Sequence, residues 1–74
     1  MKYVKITKVL LPNQNSNRLL NEVVLVNDDS SIQLIDCTHN LSDFEYTDIP
    51  MNEIDNHLVY VGITQGKVPY KTYE

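Results

Sequence analysis

Cysteine and histidine are the residues of this chain best suited to chemistry, and there are few of them. Cys37 is the single cysteine and His39 follows two positions later, so on a strand both side chains would share one face. A thiol beside an imidazole can form a nucleophile–base pair or part of a zinc site. A structural zinc site normally needs four ligands, and His57 could join only through long-range folding. We therefore expect an inert, partly buried thiol, with no metal and no cofactor.

Oxygen-bearing side chains form the second group of candidates. Residues 27–31 read Asn-Asp-Asp-Ser-Ser, but they lack the central glycine and distal glutamate of a calcium-binding EF-hand loop. Asn and Asp hydrogen-bond their own backbone in turns, so a hairpin turn is the simpler interpretation. Carboxylate pairs such as Asp43 and Glu45 are usually solvated on a small surface. The only glycines are Gly62 and Gly66, too few for phosphate-cradling loops, and we expect no enzyme.

Charge is segregated along the sequence. All six basic residues lie outside residues 19–66: Lys2, Lys5, Lys8, Arg18, Lys67 and Lys71. Inside that window lie nine acids: Glu22, Asp28, Asp29, Asp36, Asp43, Glu45, Asp48, Glu53 and Asp55. The window therefore carries a formal charge of −9, against −4 for the whole chain. A field of one sign steers partners of the opposite sign, although acids also keep small domains soluble.

The densest part of this acidic window predicts a protein-binding surface. Carboxylates there alternate with apolar side chains, which suits docking on a basic, partly apolar groove. The predicted contact residues are Asp43, Phe44, Glu45, Tyr46, Asp48, Met51, Glu53 and Asp55. The carboxylates would steer the partner, and Phe44, Tyr46 or Met51 would anchor it. We expect a non-enzymatic acidic inhibitor or adaptor, of which a DNA mimic encoded by a phage or mobile element is one form.

A second hypothesis is a homo-oligomer that binds a small molecule or nucleotide between subunits. Its contact residues would be Tyr60, Tyr70 and Tyr73. Direct nucleic-acid binding is disfavoured, because phosphate contacts need a contiguous basic patch. If the first and last strands paired, their lysines would gather into a basic seam on one side of the molecule, with the acids of the window as an acidic rim elsewhere. The basic seam of one copy could then bind the acidic rim of another.

The elements that must position these residues are predicted to be strands. Short apolar runs rich in Val, Ile and Tyr alternate with polar stretches, a spacing typical of a small β barrel or sheet. One domain over residues 1–74 is expected, mainly β, with five to six antiparallel strands. Strands are predicted at residues 2–11, 19–26, 32–37, 57–64 and 68–73, and the clearest of them is 57–64. Residues 12–17 are predicted to be a loop, and one or two short helical turns are predicted near residues 42–56, beginning at Ser42 and Pro50. The alternative for the segment from Ser42 is a short extended strand that contains Phe44 and Tyr46.

Several residues further constrain the sheet and the cellular setting. The unbroken apolar run at residues 23–26 predicts a strand buried on both faces. Gly66 can supply the positive φ of a hairpin turn with Gln65, and Pro69 predicts an edge strand because it has no N–H donor. The single cysteine and the absence of a signal peptide or membrane-length apolar run predict a cytoplasmic protein.

Overall fold

The fold is a small, mainly β domain. The structure, a computed structural model, describes residues 1–62 and 65–70. The strands in these ranges are β1 (Lys2–Val9), β2 (Val23–Val26), β3 (Ser31–Gln33), β4 (Thr38–Asn40), β5 (Phe44–Ile49), β6 (Leu58–Gly62) and β7 (Gly66–Pro69). A four-residue helix, α1 (Gln14–Asn17), and two 3-10 turns, Leu41–Asp43 and Ile54–Asn56, connect them. The predicted fold class is confirmed.

The strands form one curled sheet in the order β4-β3-β2-β1-β5. These neighbours are antiparallel, so β1, β2, β3 and β4 form a meander. β6 pairs in parallel with β2 through Val23 and Val59, and β7 pairs antiparallel with β6. One edge of β2 is occupied by β1. The other edge of β2 is therefore shared by β3 and β6, and the sheet curls into a half-barrel around β2.

Two hydrophobic clusters lie on opposite faces of this sheet. The first cluster contains Val4, Ile6, Leu19, Val24, Val26, Ile32, Leu34, Leu41, Phe44 and Tyr60. The second cluster contains Tyr3, Val23, Leu25, Ile54, Val59 and Val61. Alternate residues of β2 therefore point into different clusters, and all four are buried. The prediction that residues 23–26 are buried on both faces is confirmed.

The connection from β1 to β2 differs from its prediction. β1 ends at Val9, and residues 14–17 are helical where a loop was expected. The side chain of Asn13 explains the helix, because its oxygen accepts from the Ser16 amide at 2.9 Å as an N-cap. β2 begins at Val23 and not at residue 19, because the chain passes through Asn21 at a φ of 64°, which breaks an extended conformation.

The stretch after β2 also contains corrections. The strand predicted at residues 32–37 ends at Gln33, where the Leu34 amide donates to the Cys37 carbonyl and the chain turns into β4. The helical turn expected from Ser42 begins one residue earlier, because Asn40 caps it by accepting from the Ser42 amide. Residues 44–49 take the extended alternative and form β5.

The turn predicted after Pro50 is present. The Glu53 amide donates to the Pro50 carbonyl at 2.9 Å, and the 3-10 turn Ile54–Asn56 follows. At the end of the described chain, β7 pairs with β6 alone, so the predicted edge position of Pro69 is confirmed. The predicted ends of the last two strands lie outside the described residues. Within those residues, no helix has the length and apolar character that would let it cross a membrane.

A candidate protein-binding edge

The predicted contact surface divides between β5 and the segment that follows it. Phe44 and Tyr46 both lie on the face of the first cluster, but Phe44 is 3% exposed and Tyr46 is 40% exposed. Phe44 is therefore part of the core and is not available as an anchor in the free protein. Tyr46 and Met51, which is 57% exposed, are the large apolar side chains that this surface presents.

The exposed acids of β5 lie beside lysines of β1. Nζ of Lys2 is 3.2 Å from Oδ1 of Asp48, and Nζ of Lys8 is 3.9 Å from Oε2 of Glu45. The Lys2 ammonium also lies 5.1 Å from the centre of the Tyr46 ring. Exposed pairs of this kind contribute little to stability, so their main effect is to soften the negative field of β5.

The remaining predicted acids lie on both sides of β5. Asp43 is half-buried in the 3-10 turn before the strand, whereas Glu53 and Asp55 are exposed in the segment after it. Ile54, buried to 1% exposure between those two acids, fixes that segment to the second cluster. Among the described residues, none of the three acids takes part in an ion pair. They provide the unneutralised part of the surface.

The expected basic seam does not form within the described part of the chain. β1 lies between β2 and β5, and β7 pairs only with β6 there, so the first and last strands do not pair. Lys67 reaches Glu22 at 3.2 Å, and Arg18 reaches Asp36. Among the described basic side chains, Lys2, Lys8, Arg18 and Lys67 are thus dispersed over the fold and paired with acids of the window. Lys71 lies outside the described residues.

The two described tyrosines of the second hypothesis do not come together. Tyr60 is 7% exposed in the first cluster. Tyr70 is half-buried and packs edge-to-face on Tyr3, with ring centres 5.3 Å apart, in the second cluster. The two rings therefore lie on opposite faces of the sheet and cannot line one pocket of a subunit. Tyr73 lies outside the described residues.

Cys37 and His39 do meet, and Arg18 joins them. Sγ of Cys37 is 3.3 Å from Nε2 of His39, and Nη2 of Arg18 donates to the same sulfur at 2.8 Å. The guanidinium also makes two hydrogen bonds to Asp36, at 3.0 and 3.2 Å. The sequence pointed to Cys37 and His39 through their spacing. It gave no signal for Arg18, because that contact is made only when the chain folds back.

The electrostatics of this cluster favour neutral side chains at its centre. Burial raises the pKa of the Cys37 thiol, and the nearby Arg18 charge opposes this only in part. Burial lowers the pKa of His39, and Arg18 acts in the same direction. The cluster therefore contains a protonated thiol and a neutral imidazole near neutral pH. Within the described ranges, no three His, Cys, Asp or Glu side chains converge as a metal site.

Residues 27–31 form the expected hairpin turn between β2 and β3. The Asn27 amide donates to the Ser31 carbonyl, and one oxygen of Asp29 accepts from both the amide and the hydroxyl of Ser31. These bonds lower the pKa of Asp29. The terminal amino group of Met1 pairs with Asp28. Of the two acids in this segment, Asp29 is thus bonded within the turn and Asp28 is paired with the N-terminus.

Two open clefts lie on either side of Ser30. One, of about 280 Å³, lies between this turn and the start of β1, and the other, of about 220 Å³, reaches Phe44 and Tyr46. Neither includes Tyr60 or Tyr70. Searches of family models, curated proteins and solved structures find no significant match to this chain.

Proposed function

We propose that this protein is a non-enzymatic binding module that engages a basic partner protein through β5 and the segment from Pro50 to Asn56. The observation that carries the proposal is the exposure of Tyr46 and Met51 on a surface otherwise rich in carboxylates. Apolar anchors surrounded by charge are the usual composition of a protein interface, in which a few large side chains supply most of the affinity.

The charge distribution supports steering toward a basic surface. Asp43, Glu53 and Asp55 have no ion-pair partner among the described residues, and the paired carboxylate of Asp48 is still 66% exposed. An adaptor or inhibitor with anchored contacts is better supported than a nucleic-acid mimic. A mimic would require rows of free carboxylates, whereas both acids of β5 have a lysine beside them.

The alternative homo-oligomer with a shared ligand pocket receives less support. Its two described tyrosines face opposite sides of the sheet, and neither ring lines the two clefts beside Ser30. Light scattering and a thermal-shift panel of nucleotides and metabolites test it directly. A stable oligomer with a ligand-dependent shift would favour this alternative over the binding module.

A partner-capture experiment tests the proposal through its charge dependence. The immobilised protein should retain a basic partner from lysate at about 50 mM salt and release it at about 500 mM, because screening weakens steering contacts. The variant D43N/E45Q/D48N should lose that partner, whereas E22Q/D28N, a control with two charges removed elsewhere, should retain it. Capture that survives the triple substitution unchanged would contradict the acidic contact.

A further inference from the structure

The outer edge of β5 is the longest proline-free strand edge in the described part of the chain. β5 spans six residues, contains no proline and pairs with β1 alone. The other described edges are less suited to an added strand, because β4 has three residues and β7 ends in Pro69. Open strand edges are templates for pairing with another extended chain.

The register identifies the backbone groups that this edge presents. Ile6 of β1 uses both its backbone groups on the β2 side, since its amide donates to Glu22 and its carbonyl accepts from Asn21. Its partner across the ladder is Tyr46. When two opposed residues of an antiparallel pair exchange no hydrogen bonds, the backbone groups of both point away from the partner strand. The N–H and C=O of Tyr46 therefore face the open edge of β5.

Strand alternation extends this assignment to Asp48, two residues along β5. An independent pair of bonds before the strand agrees with it. The Asp43 carbonyl accepts from Leu10 on the β1 side, and the next amide, that of Phe44, donates away from β1 to Leu41. The backbone N–H and C=O groups of the even-numbered residues of β5 therefore point away from β1, and those of the odd-numbered residues bond to β1.

The charged side chains of β5 determine which kind of strand can pair favourably at this edge. Glu45 lies on the face of Lys8 and Asp48 on the opposite face with Lys2, so each carboxylate lies between a lysine of β1 and the open edge. A second copy paired along β5 would add two more carboxylates to the same short ladder, which is unfavourable. A strand bearing Lys or Arg would instead produce alternating charge across three strands.

We propose that β5 binds an extended basic segment of the partner as an added β-strand, an inference that rests on the proposed function and specifies its mode. Residues opposite Glu45 and Asp48 are three apart and fall on opposite faces. The segment should therefore carry two basic residues at positions i and i+3. The position opposite Tyr46 suits an apolar side chain that packs beside its ring.

Amide exchange on the wild-type protein tests the added strand. The probe is a ten-residue peptide of Val and Thr with Lys at two positions three apart, and a control peptide of equal composition has Lys two apart, on one face. Saturation with the probe should slow exchange of the Tyr46 and Asp48 amides at least about tenfold, with little change at Thr47, whose amide already bonds to β1. The control peptide should bind about fivefold more weakly.

Two substitutions separate charge from backbone pairing. D48N removes the charge alone, whereas D48P removes the charge and the outward N–H without breaking a bond to β1. D48P should bind the probe about fivefold more weakly than D48N, the loss expected for one hydrogen bond. If D48P does not fold, the wild-type exchange measurement decides.

The possible outcomes distinguish this inference from the proposed function. If a basic protein or the probe binds with charge dependence but the Tyr46 and Asp48 amides exchange as before, the added strand is wrong and the acidic contact stands. If no basic partner or probe binds, the proposed function fails. If these amides become protected as the protein dimerises without peptide, the occupant is a second copy and the inference is overturned.

Discussion

At the scale of single residues, the Arg18 side chain connects three separate parts of the structure. It bonds to Asp36 and Cys37 and lies 6.0 Å from the Tyr60 ring, so it joins a helix end, a turn and the core. Hydrogen bonds that involve a charged group are stronger than neutral ones, which suits Arg18 to hold the turn after β3 in place.

The cluster around Arg18 predicts a dependence of stability on pH. Since the pKa of His39 is lowered in the folded state, the unfolded chain binds a proton at His39 more readily. The charges nearby are Arg18, which lowers this pKa further, and Asp36 and Asp43, which raise it. Stability from this source is complete above about pH 6.5 and declines as pH falls toward the folded pKa.

Urea unfolding between about pH 7.5 and 5.5 measures this effect. H39Q should show a shallower loss of unfolding free energy over that range than the wild type. H57Q serves as the matched control, because it keeps His39 and should keep its contribution. Equal slopes for H39Q and the wild type would exclude His39 as the source.

At the scale of elements, the sequence revealed strands where its pattern is local and continuous. The apolar run at residues 23–26 and Pro69 each impose a physical constraint that holds in any fold, and both predictions were confirmed. Helix α1 was missed because its four residues carry no apolar periodicity and depend on the Asn13 cap. Charge patterning along the chain could not show which lysine meets which acid, because ladder register decides that.

The β2–β3 turn gives a prediction at this scale. Ser30 has a φ of 68°, a conformation that glycine and asparagine tolerate and β-branched residues resist. S30V should lower the free energy of unfolding by about 1–2 kcal/mol, whereas S30N should stay within about 0.5 kcal/mol of the wild type.

Thermal and urea denaturation measure both variants. T38V introduces the same side chain on a neighbouring strand, where valine is well accommodated, and should change stability by less than about 0.5 kcal/mol. A harmless S30V would show that the turn rearranges freely and that its strain is not stored in Ser30.

At the scale of the whole molecule, folding redistributes the charge that the sequence separates. The basic ends of the chain and the acidic middle meet in pairs that join β1 with β5 and β7 with the residue before β2. The part of the molecule that the structure describes therefore has local dipoles in place of a basic seam and an acidic rim. Of the four carboxylates of the window that take part in no ion pair among the described residues, three, Asp43, Glu53 and Asp55, lie around β5 and the segment after it, where the binding surface is proposed.

The parallel bridge between Val23 and Val59 has a consequence for the order of folding. The β1–β4 meander can form from contacts close in sequence. The Val23–Val59 bridge closes a long loop, and the entropy lost in closing that loop opposes the bridge before its contacts can stabilise it. We expect the meander to be formed in the transition state and the β6–β7 hairpin to dock after it.

Stopped-flow kinetics with two matched variants test this order. Val24 and Val59 are both fully buried, and V24A and V59A should each cost about 2 kcal/mol. V24A should mainly slow folding and V59A should mainly speed unfolding; the reverse pattern would contradict a late bridge. In that order of events, the lifetime of the native state is set by β6 and β7, the last strands to arrive.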